Sequence, residues 1–303
     1  MIDKDINFIQ FFKLANIFSL IIFLLSIIFI IFKGLNYGID FKGGTLIELR
    51  VDKNTTNISD IRSAFRNMDL GDVNIKEFGK KGDYLIKIEK TNENKADFIA
   101  KIKKDISLDL QTEISFRRVE KVGPKVSSEL LEAGILAISL SLFAMLFYIW
   151  IRFEWQFSLG SIIALFHDVI ITLGIFSILS LEINLSIIAA VLTIVGYSMN
   201  DTVVIYDRIR ENLSKFTKIS INDISNLSIN ETLSRTIITS FTTLLALASI
   251  FILGGEILKG FSFAMILGVI IGTYSSIFVA SPVLKLLKVS SKTLEKKEEK
   301  IIP

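Results

Sequence analysis

The chain has no cysteine, one histidine and three prolines in 303 residues. Without cysteine there can be no disulfide, no thiol nucleophile and no thiolate-held metal. This says little about compartment, because a domain with an adequate core needs no staple. A single histidine, His167, excludes His-rich metal sites within the chain. It lies in the middle of an apolar run, so no His-based triad can be assembled on a water-facing surface. The formal net charge is only +3, with no basic stripe that would track a nucleic acid. The Walker spacing GxxxxGK[ST] is missing, although "GIDFKGGT" places a Gly pair beside Lys42 and Thr45. Gly43 and Gly44 are instead expected to allow a bend or a close backbone approach.

What the chain has in abundance is apolar surface: 51% hydrophobic residues, 24 of them Phe. That composition belongs to an integral membrane protein. Uninterrupted apolar runs of about 20 residues, the length needed to span a bilayer, occur at Leu14–Phe32, Leu130–Ile151, Phe157–Leu179, Ile183–Ile205, Ile237–Leu253 and Phe261–Leu287. The first is longer than a signal-peptide core and ends in Lys33-Gly34-Leu35 instead of a small-residue cleavage site, so it reads as a retained anchor. The expected organisation is an N-tail over 1–13, one span, a polar stretch over 33–129, four further spans to 253 interrupted by a loop over 206–235, a sixth span, and a tail over 288–303. Short-loop charges favour both termini inside. Lys4, Lys13, Arg152, Arg208, Arg210, Lys215, Lys218, Arg235 and the tail from Lys285 to Lys300 lie on that side, against Lys259 on the other.

The polar stretch alternates strand-like and helix-like patterns. "GTLIELRV" has period two, whereas "ISDIRSAFRNM" places Ile58, Ile61 and Phe65 on one side of a helix. "DVNIKEF" and "DYLIKIE" flank "GKKG" as a hairpin; "NENKADFIAKIKKDI" is a second helix and "QTEISFRRVEKV" a last strand. The order βαββαβ predicts a ferredoxin-like α+β sandwich.

Charges inside the spans carry the functional signal. Asp201 lies about seven residues, roughly 10 Å, from the centre of the fourth span, within a hydrocarbon half-thickness of roughly 15 Å. Its side chain is too short to snorkel. Ala189, Thr193, Tyr197 and Asp201 recur every fourth residue, with Gly196 and Asn200 on an adjacent ridge, a surface expected to face other helices or water. Asp201 is either the end of the span or an ionisable site, the second being the default at such depth. "SINE" at Ser228–Glu231 fits a capping box and predicts a helix start near Ser228. That helix would carry Arg235 into the membrane from the same side. Contact between the two favours the ionised carboxylate and separation in an apolar setting favours the neutral acid, so a motion that changes their distance binds or releases a proton. Read alone, Arg235 is as readily a positive-inside anchor. His167 and Asp168 lie close to the centre of the third span and point roughly 100° apart. They offer one lumen-facing group and one interhelical hydrogen bond. Gly268 and Gly272 form a close-packing pair in the sixth span, followed by the hydroxyls of Thr273, Ser275 and Ser276.

The motifs "GIDFKGGT", "VGPKVSSEL", "HDV", "GYSMNDTVVIYDRIREN" and "ETLSRTIITS" together resemble the SecF branch of the SecD/SecF protein-export family over essentially the whole chain. The fourth-span motif is the most diagnostic. The resemblance implies an α-helical polytopic membrane protein, half of an RND-like unit with six transmembrane helices and a periplasmic domain between the first two. It also implies proton-driven assistance to preprotein secretion across the bacterial inner membrane. SecD, a separate polypeptide, would be the other half. The SecYEG channel, SecA and YajC would complete the complex. No cofactor, metal or enzymatic step is implied. The proton-pathway residues of the family fall on Asp201 and Arg235, with Asn200, Tyr197, Asp168 and His167 as possible polar support. Two rivals stay open on the residues alone: half of an RND-type exporter of small molecules, and a purely structural subunit.

Overall fold

The computed structural model describes residues 6–51, 57–66, 68, 70, 73–77, 79, 81–89, 95–110, 112, 114–216, 218–291 and 293. From the N-terminus come α1 (Ile9–Phe32), the short strand β1 (Asn36–Tyr37), the one-turn helix α2 (Ile39–Lys42) and β2 (Gly44–Val51). Next are α3 (Ile58–Arg66), β3 (Val73–Glu77), β4 (Asp83–Ile88), α4 (Lys95–Leu110) and β5 (Ile114–Val122). The rest is helical apart from β6 (Glu182–Ile183), which pairs with β1: α5 (Pro124–Arg152), α6 (Trp155–Ile178), α7 (Leu185–Lys215), α8 (Ile221–Leu253) and α9 (Glu256–Ser275). A π-wound turn, Ser276–Ala280, joins α9 to α10 (Ser281–Leu286). Two compact units result: residues 37–136 with 183–185, and the remainder. Among the described residues, six helices are long and apolar enough to cross a membrane.

The smaller unit is built on β2 to β5. Its sheet has the order β3-β4-β2-β5 with every neighbouring pair antiparallel, the spatial order of a ferredoxin-like βαββαβ sandwich. Ile61 and Phe65 of α3 and Ile102 and Ile106 of α4 cover Ile47, Leu49, Ile86 and Ile88 in one core. Period-two burial fails in β2, where Thr45 through Leu49 are all buried, because this strand is central between β4 and β5. Gly44 has φ +126° and a Cβ there would press on the Ile88 carbonyl oxygen, while Gly43 has φ +77°. The Gly pair thus turns the chain tightly into β2. Asp83 is held by Arg50 at 2.6 and 2.8 Å, its cross-strand partner, and by Arg117 at 3.2 Å. Parts of the sequence expectations for this unit lie outside the described residues: the start of the second helix at 91–94, and Lys80, Gln111 and Glu113. So do Lys4 and the tail from 294.

In the helical unit, one apolar core joins Phe8 and Phe12 with Phe153, Phe157, Val195, Tyr206, Ile209, Ile229 and Leu284. Gly268 and Gly272 let α9 lie directly on α7, where added Cβ atoms would strike Ile194 and Ser198. The stretch 206–235 is not the expected loop. No Gly or Pro occurs between Gly196 and Gly254, so nothing stops α7 before Lys215 or delays α8 beyond Ile221. The helix start predicted near Ser228 is corrected accordingly. The N-cap is Ser220, which accepts the Asp223 N–H at 3.3 Å. Ser228 is buried in mid-helix, where its hydroxyl accepts a hydrogen bond from Asn212 Nδ2 at 3.0 Å. Asn212 Nδ2 and Arg208 Nε also reach Glu231 Oε2, at 2.7 and 2.6 Å, tying the two helices together. Asn226 and Asn230 hold the approach to α1 by accepting the Phe8 and Ile6 N–H groups at 2.8 and 2.9 Å.

Candidate functional site

Asp201 is 3% exposed, on the face of α7 turned toward α8 and α9. The Ser240 hydroxyl of α8 and the Thr273 hydroxyl of α9 lie beside its carboxylate and stand 2.7 Å from each other. Both come from helices that bring small hydroxylic residues inward, and the Thr273 hydroxyl donates to the Val269 carbonyl at 2.7 Å. Arg235, nearly a turn and a half before Ser240 on α8, acts on Asp201 electrostatically. Among the described residues no ion pair within 4.0 Å joins them. Arg235 itself is exposed on this chain. Asp201 Oδ2 and the neighbouring Tyr197 and Thr236 hydroxyls are buried without a hydrogen-bond partner. The arrangement is a desolvated carboxylate with spare hydrogen-bonding capacity and a cation in reach but out of contact.

The other intramembrane groups divide. Asp168 is fully buried and accepts hydrogen bonds from Ser198 of α7 at 2.5 Å and Ser275 of α9 at 2.7 Å, both on Oδ2. His167 Nδ1 lies 2.9 Å from Oδ1 of the same carboxylate. Asp168 therefore supplies the interhelical hydrogen bonds and links α6, α7 and α9. His167 stacks on Phe23 of α1, with Nε2 buried and unpartnered. Asn200 is exposed, as are Ala189, Thr193 and Gly196, so the small and polar ridge of α7 does not close on the other helices of this chain. Sequence reading missed Ser198 and Ser240 as partners of the two acids. It also missed Tyr206, whose hydroxyl donates to the Ala280 carbonyl at 2.9 Å. Ser198 does carry a weak signal, one turn before Asp201 on the same helix.

Fold and site together define a polytopic membrane protein with a six-helix unit around buried carboxylates and one ferredoxin-like domain between its first two spans. Comparison with known proteins narrows the class. The sequence profile for "Protein export membrane protein SecD/SecF, C-terminal" matches residues 102–290, and that for the "SecD/SecF GG Motif" matches residues 28–55. The protein translocase subunit SecF of Rickettsia bellii (strain OSU 85-389) is 47% identical over 293 residues, 96% of each chain. That of Rickettsia rickettsii (strain Sheila Smith) is 45% identical over 296 residues, again 96% of each. The crystal structure of SecDF, a translocon-associated membrane protein from Thermus thermophilus, superposes with a TM-score of 0.86 at 33% identity, covering 95% of this chain and 39% of that one. A SecDF structure in a super-membrane-facing form superposes at 0.67 with 30% identity, covering 98% and 41%. This chain thus corresponds to about two fifths of each SecDF chain. The chain belongs to the SecD/SecF family of protein-export membrane proteins.

Proposed function

We propose that this chain is the SecF-type half of a Sec translocase accessory complex, and that it couples proton movement at Asp201 to the export of preproteins. The observation that carries the reading is the state of Asp201: buried in a span, one oxygen unpartnered, and Arg235 close enough to act but not in contact. A carboxylate that only ended a helix would reach water or a fixed partner. In the proposed cycle Asp201 alternates between neutral and ionised forms, Arg235 responds, and the change is passed to the domain at 33–129, which draws the emerging polypeptide outward after SecA has acted. That domain is assigned to the periplasm and both termini to the cytoplasm, within the inner membrane.

The size of the driving force sets a condition. One charge crossing roughly 150 mV releases about 3.5 kcal/mol, whereas moving a two-state element from 1:99 to 99:1 needs about 5.5 kcal/mol. A single proton driven by voltage alone biases the domain without switching it. A pH gradient, a second proton or a second acid on SecD supplies the remainder.

Thr193, Gly196, Asn200 and Arg235 support the SecD pairing: all are exposed on this chain, on segments read as lipid-embedded or entering lipid. The Thr193 hydroxyl is satisfied by the Ala189 carbonyl at 2.8 Å, but lipid cannot satisfy the Asn200 amide and the Arg235 guanidinium, so another membrane protein covers them. SecYEG, with SecA and YajC, is the proposed setting. The test is completion of preprotein translocation in inner-membrane vesicles after SecA is removed, with and without an imposed proton gradient. Asp201→Asn, which is nearly isosteric, is expected to abolish the gradient-dependent part while chain level and SecD association persist. Unchanged export would return Asp201 to a helix-end residue and favour a structural subunit.

A further inference from the structure

The sixth span is not one uniform helix. It is α-helical to Ser275, π-wound over Ser276–Ala280, and α-helical again from Ser281, with Pro282 directly behind the change. Proline has no N–H to donate, and its ring collides with the carbonyl four residues earlier, here Phe278. Widening the preceding turn by a residue relieves that collision, and such π turns recur at functional sites.

Side chains pin this turn at both ends. At its entry Ser275 donates to Asp168 Oδ2 at 2.7 Å, and Ser276 donates to the carbonyl of Thr273 at 2.9 Å. Thr273 is the α9 residue whose hydroxyl lies beside Asp201 and donates to the Val269 carbonyl at 2.7 Å. At its exit Ser281 donates to the Ser276 carbonyl at 3.0 Å, and Tyr206 donates to the Ala280 carbonyl at 2.9 Å. Tyr206 is fully buried, and its hydroxyl fits only because Gly160 of α6 has no side chain: a Cβ there would collide with it. Tyr206 lies five residues past Asp201 on the unbroken helix α7, about 7.5 Å along its axis. Helix α7 therefore meets the joint twice, with Ser198 packed on Gly272 and Asp201 beside Thr273, and with Tyr206 bonded to Ala280.

We propose that Tyr206 is a positioning residue for the Asp201 site. Its bond to Ala280 sets the winding of the π turn and, through that turn, the placement of Thr273 against the carboxylate. A change of charge at Asp201 is then felt as a displacement of this turn relative to α7. The charged and titratable groups around the path are Arg235 on α8, Asp168 and His167 on α6, Tyr274 on α9, and Tyr197 and Tyr206 itself on α7. This rests on the reading of Asp201 as a proton site.

The experiment uses the full chain in lipid nanodiscs and two readouts. Amide hydrogen exchange over 276–286 reports the winding directly; Tyr206→Phe, which removes one oxygen, is expected to speed it about fivefold while α6 amides change less than twofold. Gly160→Ala, which displaces the hydroxyl from the opposite side, must act on the same amides. The second readout is the rate at which a hydrophobic carbodiimide modifies Asp201 as a function of pH, identified by mass spectrometry. Its midpoint is expected to move in Tyr206→Phe relative to wild type, which loss of a merely structural bond would not cause. Exchange within twofold of wild type, or an identical pH profile, overturns the proposal. If Asp201 fails to react in wild type at any pH, the proton-site reading falls and this inference with it.

Discussion

Removing the acceptor at Asp168 should separate this anchoring acid from Asp201, the acid proposed to switch. Ser198, Ser275 and His167 all converge on this carboxylate, at 2.5, 2.7 and 2.9 Å, in a place with no access to solvent. Hydrogen bonds to a charged group contribute roughly 1.5–3 kcal/mol each, and a buried donor left unpaired costs about 1–3 kcal/mol. In Asp168→Ala, Ser275 retains a fallback in the Gly272 carbonyl at 3.2 Å, so the loss is not the sum of three bonds. We expect about 4 kcal/mol. Asp168→Asn should be far milder. The amide oxygen can take the place of Oδ2 and accept from both serines, leaving the NH2 group toward His167. The imidazole then accepts at Nδ1 by moving its proton to Nε2. The expected loss is about 1 kcal/mol. Equilibrium unfolding in mixed micelles with rising dodecyl sulfate, followed by the fluorescence of Trp150 and Trp155, reads both variants. Equal losses in the two, or less than about 1 kcal/mol for Asp168→Ala, would refute the hub.

Outside its own helix backbone, an added Cβ at Gly196 would meet none of the described residues within 4 Å, whereas one at Gly268 would collide with Ile194. Gly196→Leu should leave the chain folded yet reduce co-purification of SecD. Gly268→Leu should damage the chain itself by about 3 kcal/mol or more. Asp83→Ala removes the shared partner of Arg50 and Arg117; since both arginines are partly exposed, the cost should be about 2 kcal/mol, read as faster exchange of β4 amides in the full chain. Asn230→Ala deletes the bond accepted from the Ile6 N–H and the one donated to its carbonyl at 2.8 Å. The segment before α1 should then be cut faster by protease, while the exchange of α8 changes little.

Much of this molecule is visible in its sequence because lipid imposes few solutions. Apolar runs of spanning length must be helices, and a carboxylate at the depth of Asp201 is conspicuous against them. Strand alternation in "GTLIELRV" and "DYLIKIE" was enough to order the smaller unit, although not to foresee that β2, being central, is buried along most of its length. The misplaced start of α8 has a local cause: Ser228 and Glu231 have the spacing of a capping box, but their side chains serve Asn212 and Arg208 of α7. Ser220 and Asp223, eight residues earlier, make the cap. Pairings between helices leave little trace in one sequence, so Ser240 reads as an ordinary small polar residue, Ser198 carries only its place one turn before Asp201, and Ser275 only its place behind the Gly268 and Gly272 pair. The π turn was hidden for a similar reason, with Pro282 as its only local sign and Gly160 and Tyr206 46 residues apart in the chain.

The central claim is that Asp201 changes protonation during work while Asp168 stays in place. Infrared difference spectroscopy of the chain reconstituted with SecD, stepped in pH, tests it most directly, because a neutral carboxylic acid has a carbonyl band that a carboxylate lacks. The account predicts a pH-dependent carboxylic acid band in wild type that disappears in Asp201→Asn and persists in Asp168→Asn. A band that survives Asp201→Asn, or that is absent from wild type across the whole range, would contradict it.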